Sequence, residues 1–94
     1  ASPIEQRAAT SGELARWANR MVAEHPNASE AKQIRFEMPA LFKGETLAAL
    51  DQKRPRLAAL FYRAYLSLDF APADAELARR MSSEVFHRTP TPRS

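Results

Sequence analysis

The sequence predicts an all-α fold, a compact bundle of four or five short helices. Three observations carry that expectation. Alanine, leucine and arginine are abundant while glycine occurs twice in 94 residues, a balance that favours helix over sheet. Apolar residues recur at three- and four-residue intervals in several segments, the period of a helix with one buried face. The prolines fall between those segments, where they open or stop helices.

The first element is expected in two pieces. Pro3 can open a short helix over Ile4 to Ala8. Thr10 and Glu13 have the spacing of a capping box, so a second helix is expected to start there. Beyond it Leu14, Trp17, Ala18 and Met21 share one helical face, which marks them as inward. His25-Pro26-Asn27 ends the helix, because proline disfavours helical geometry in the residue before it.

Ser29 is a suitable N-cap for the next segment, in which Ala31, Ile34, Met38, Leu41 and Phe42 follow the helical period. Residues 34 to 38 also alternate like a strand, but a lone strand has no partner elsewhere in the chain. Helix is therefore expected, with a kink or break at Pro39. Gly44 marks a boundary, followed by a short helix from Glu45 to Gln52. Pro55 then takes the first-turn position of the central helix, whose stripe is Leu57, Leu60, Phe61, Ala64, Tyr65 and Leu68. Asp69 to Asp74 forms a turn and a new helix start, with Leu77, Met81 and Val85 as its buried seam. One helical domain is expected over residues 1–88, with a flexible Thr/Pro-rich tail over 89–94.

Composition closes off several functions. The absence of cysteine removes disulfides, thiolate metal sites and thiol nucleophiles, and it points to a cytoplasmic setting. No apolar run approaches the length of a membrane span. Gly12 and Gly44 are isolated, so no glycine-rich phosphate loop exists. Glu84 and His87 lie at the spacing used in carboxylate-bridged metal bundles, but the second copy such a site needs is missing. Two histidines near helix ends are a poor stock for acid-base catalysis. The expectation is a non-enzymatic chain with no metal and no cofactor.

Charge is distributed unevenly. The net charge is +3, and Lys53, Arg54, Arg56 and Arg63 stand together without an acid, at the mouth of the central helix. A helix N-terminus favours acids, so this placement calls for a distant carboxylate partner or an anionic ligand. Most of the acid lies earlier, at Glu5, Glu13, Glu24, Glu30, Glu37 and Glu45. Unlike halves suit an anionic partner or self-association.

Two functions follow as expectations. The first is a helical interaction or regulatory module that binds a protein partner, or a second copy of itself, through the 55–70 helix. Tyr62, Leu66 and Phe70 would supply apolar contact and Arg63 charge, since they widen the apolar face beyond what one core needs. The alternative is a small nucleic-acid-binding protein that contacts phosphates through Lys53, Arg54, Arg56 and Lys43. Its net charge is low for a dedicated binder.

Overall fold

The computed structural model describes residues 2–86; the Thr/Pro-rich tail over 89–94, His87 and Arg88 lie outside them. The fold is all-α, as expected, in four helices: α1 (Pro3–Glu24), α2 (Ser29–Asp51), α3 (Pro55–Ser67) and α4 (Ala75–Met81), the last extended by a π-helical turn, Ser82–Phe86.

α1 is one helix rather than two. Its start is fixed by a capping box about two turns before the expected one: Ser2 Oγ accepts from the Glu5 amide, and the Glu5 carboxylate accepts from the Ser2 amide, with Pro3 at the first helical position. Thr10 caps nothing. Its hydroxyl donates to the Gln6 carbonyl inside the helix at 3.1 Å. The inward face is Ile4, Ala8, Ser11, Ala15 and Ala18. Leu14 and Trp17, expected inside, lie on its flank and are exposed.

α2 is also unbroken. Ala28, not Ser29, occupies the N-cap and offers no side-chain cap. The helix runs through Pro39 and past Gly44, so the expected boundary there is absent. Pro39 gives up one amide donor, but Met38, Pro39, Phe42 and Thr46 are all buried along this stretch. Tertiary burial outweighs the local preference to break. The buried Thr46 hydroxyl donates to the Phe42 carbonyl at 2.7 Å, so its polarity is satisfied. α2 ends in a Schellman turn. The Arg54 amide donates to the Ala49 carbonyl and the Lys53 amide to the Leu50 carbonyl, with Lys53 in the left-handed region at φ 59°.

Three contacts orient the helices. Arg54, just before α3, reaches Glu5 at the start of α1. At the other end Asn19 donates to the Ser67 carbonyl at 2.9 Å and accepts from the Asp69 amide at 2.8 Å. α1 and α3 therefore run parallel, and α2 returns antiparallel between them in sequence. Arg7 of α1 pairs with Glu45 of α2. α4 runs with α2: Asp74 at its start meets Lys43, and Arg80 near its end approaches Asp51.

α3 is the hub, packed against both long helices, and Pro55 opens it as expected. Phe42, Phe61, Leu77, Met81 and Thr46 are the largest wholly buried side chains. Asp74 caps α4 by accepting from the Leu77 amide at 3.0 Å. The described residues extend 50 × 30 × 17 Å, and the short dimension admits only two layers of helices at ordinary packing distances. A slab so thin cannot enclose every bulky side chain of its long helices.

Candidate functional site

The four residues expected to form an interface on α3 separate by burial. Tyr62 and Phe70 are half-buried and pack against the core. Tyr62 also stacks on the buried Tyr65, with ring centroids 6.4 Å apart and planes 9° from parallel. Leu66 is 62% exposed. Arg63 is exposed and borders a groove between α1 and α3 with Leu60, Arg16 and Ser67. Only Leu66 and Arg63 project fully from the helix. Leu60, expected in the stripe, is itself exposed.

The basic residues also divide. Lys53, Arg54 and Arg56 gather around an open groove of about 400 Å³ with Pro55, Leu57 and Glu5. Within it Arg54 is bound to the Glu5 carboxylate, so the conflict at the mouth of α3 is resolved by a distant acid. Lys43 stands apart, one side of α2 away, and pairs with Asp74 at 2.7 Å. Both acids are held in the charged form. Glu5 lies below the usual glutamate range because it accepts from the Ser2 amide, with Arg54 adding to the effect. Asp74 is lowered by Lys43 first and by the Leu77 amide second. Lys53 and Arg56 are the two cluster members that lie exposed without an ion pair among the described residues.

A different surface carries aligned apolar side chains. Leu14 is 37% exposed, Trp17 41% and Leu41 46%. Leu14 and Leu41 face one another across a narrow cleft of about 90 Å³ between α1 and α2. Phe42 and Phe61 form its floor, and the Arg7–Glu45 pair and Thr10 close one end. Trp17 follows Leu14 by three residues and continues the stripe along α1. On the opposite flank of α2, Phe36 is 78% exposed beside Pro39, Ala40, Tyr65 and Pro72.

A signal for this surface exists in the sequence. Ile4, Ala8, Ser11, Ala15 and Ala18 form an uninterrupted series at helical spacing. Such small residues let helices approach closely, and once they are taken as the inward face, Leu14 and Trp17 must fall to its side.

Among the described residues no group of three or more His, Cys, Asp and Glu is placed to hold a metal ion. No helix of these residues is long and apolar enough to cross a membrane. Comparison of the chain with known protein families, curated proteins and solved structures finds no match.

Proposed function

We propose that the chain is a non-enzymatic helical interaction module that binds another protein through apolar side chains it displays. The observation that carries this reading is the exposure of Leu14 and Leu41 over a cleft floored by core aromatics, with exposed Trp17 one turn further along α1. An exposed tryptophan in an apolar patch with a polar rim is the usual anchor of a binding hot spot. The docking face moves from the 55–70 helix to the α1–α2 flank, since Tyr62 and Phe70 pack against the core. Leu66 and Arg63 remain as the exposed contribution of α3. A cytoplasmic setting suits a chain without cysteine.

The test is affinity capture with immobilised wild type and two variants. A specific partner retained by wild type and Leu66→Ser, and lost by Trp17→Ser, supports the face. Retention by Trp17→Ser with loss by Leu66→Ser moves the site back to α3.

The nucleic-acid alternative keeps one observation in its favour, the convergence of Lys53, Arg54 and Arg56 on one groove. Its cost is that Arg54 and Lys43 already serve internal carboxylates. A duplex DNA titration at low salt separates the two. Binding abolished by Lys53→Gln with Arg56→Gln, and weakened steeply by added salt, would establish the alternative.

A further inference from the structure

We infer that the partner of the α1 face is a second copy of the chain, with the two α1 helices antiparallel. The inference rests on the interaction reading above and names its occupant. Arg7, Thr10, Leu14, Trp17, Met21 and Glu24 follow one another at spacings of three, four, three, four and three residues. That is the seam of a coiled coil, and it lies on one flank of α1. The inward face of the same helix, from Ile4 to Ala18, is already buried against its own bundle. The seam is therefore a second stripe, which borders the α2 cleft at Arg7, Thr10 and Leu14 and leaves it at Trp17.

Charge selects the orientation. The seam ends with an anion, Glu24, while Arg7 at its start is already paired with Glu45 of α2. Parallel pairing would set Glu24 against Glu24. Antiparallel pairing sets Leu14 of each copy over Trp17 of the other and moves the two Glu24 carboxylates to opposite ends. The flanking positions agree. Residues that border a coiled-coil seam form its interhelical ion pairs. On one border stand Ser11 and Ala18, both buried within the bundle and unable to take part. On the other stand Glu13 and Arg20, exposed and without an ion pair among the described residues. In the antiparallel arrangement Glu13 of one copy meets Arg20 of the other, twice by symmetry. In the parallel arrangement Glu13 would face the other copy's Ser11 and Ala18 border, which is buried and carries no charge. One isologous contact thus satisfies the apolar stripe and its charges together.

Sedimentation equilibrium of the purified chain over a concentration series tests this. The wild type is expected to move from 10.6 kDa toward twice that mass, and Trp17→Ser to stay monomeric with unchanged far-UV dichroism. Glu13→Arg and Arg20→Glu are each expected to weaken dimerisation by about tenfold, through two repulsive contacts per dimer. The double variant Glu13→Arg/Arg20→Glu should return to within about threefold of wild type, since only the antiparallel register exchanges the two charges. A double variant no tighter than the singles would overturn the register. A wild type that stays monomeric to about 1 mM would overturn self-pairing, yet leave the interaction reading intact if Trp17→Ser still loses a captured partner. A dimer indifferent to Trp17→Ser would sink both.

Discussion

Arg54 and Glu5 stand 49 residues apart in the chain and form one ion pair that joins the first turn of α1 to the entrance of α3. Glu5 is already committed locally, since its other oxygen accepts from the Ser2 amide and completes the capping box. The same carboxylate therefore starts one helix and offsets misplaced positive charge at the start of another.

That arrangement fixes the acid side of the stability profile. The folded Glu5 and Asp74 both titrate below their ordinary values, so the stability they contribute is present above the ordinary carboxylate range, about pH 4. It is lost as pH falls through the lowered folded values. Urea midpoints of wild type should fall on acidification below that range. Glu5→Gln should start lower at pH 7 and converge on wild type in acid. A gap between the two that persists in acid would show that Glu5 acts through something other than its charge.

Lys53 holds a left-handed conformation at the end of α2, where most helices use glycine. Lys53→Gly relieves a penalty of about 1 kcal/mol and is expected to stabilise the domain by up to that amount in urea denaturation. Loss of stability would place the lysine side chain in a contact the domain needs.

Gly44 sits inside α2 with open space where a Cβ would project. Gly44→Ala is expected to raise stability by about 1 kcal/mol, the difference between the two residues in a helix interior. Thermal unfolding followed by dichroism checks it, and a lower midpoint would mean the helix is interrupted there after all.

The Tyr65 hydroxyl donates to the Pro72 carbonyl at 2.6 Å and holds the connection between α3 and α4. Tyr65→Phe is expected to cost about 1 kcal/mol at pH 7. Burial, and then Asp74, raise the Tyr65 phenol above its ordinary value. Its contribution is accordingly full below about pH 10 and lost as pH rises through the folded value. The phenylalanine variant should show a smaller alkaline loss than wild type.

Burial separates two apolar residues of α3 that the sequence pattern assigns differently, Phe61 to the core stripe and Leu66 to the widened face. Phe61 is wholly enclosed and Leu66 mostly exposed. Phe61→Ala should cost about 3–5 kcal/mol, whereas Leu66→Ser should change stability by about 0.5 kcal/mol or less. Comparable losses would mean Leu66 packs within the bundle.

Elements set by local chemistry were legible in the sequence. Pro55 at the first turn of α3, the stop at His25-Pro26 and the helix start after the turn over residues 69–74 depend on a few neighbouring atoms, and all three stand where the pattern places them. Boundaries inferred from one weak signal were not. A glycine or an isolated cap is worth about 1 kcal/mol, less than a helix gains by burying Phe42 or Ile4, so α1 and α2 run through Thr10 and Gly44. The flank of α1 was misassigned because alanine and serine carry little hydropathy, and leucine and tryptophan drew the inward assignment to themselves. Of the basic cluster, its convergence was legible and its acidic partner was not, since no local pattern links Glu5 to Arg54.

The parallel course of α1 and α3 has a kinetic consequence. α2 and α3 are joined by residues 52–54 alone, so their pairing closes a short loop. α1 meets α3 only through partners 48 to 50 residues away, and that closure carries the larger entropic cost. Folding is expected to begin with the α2–α3 hairpin, and α1 to dock afterwards. Substitutions at the α1–α3 seam should then accelerate unfolding while leaving the folding rate nearly unchanged. The helix that displays Leu14 and Trp17 is thus the last to arrive and the first to leave.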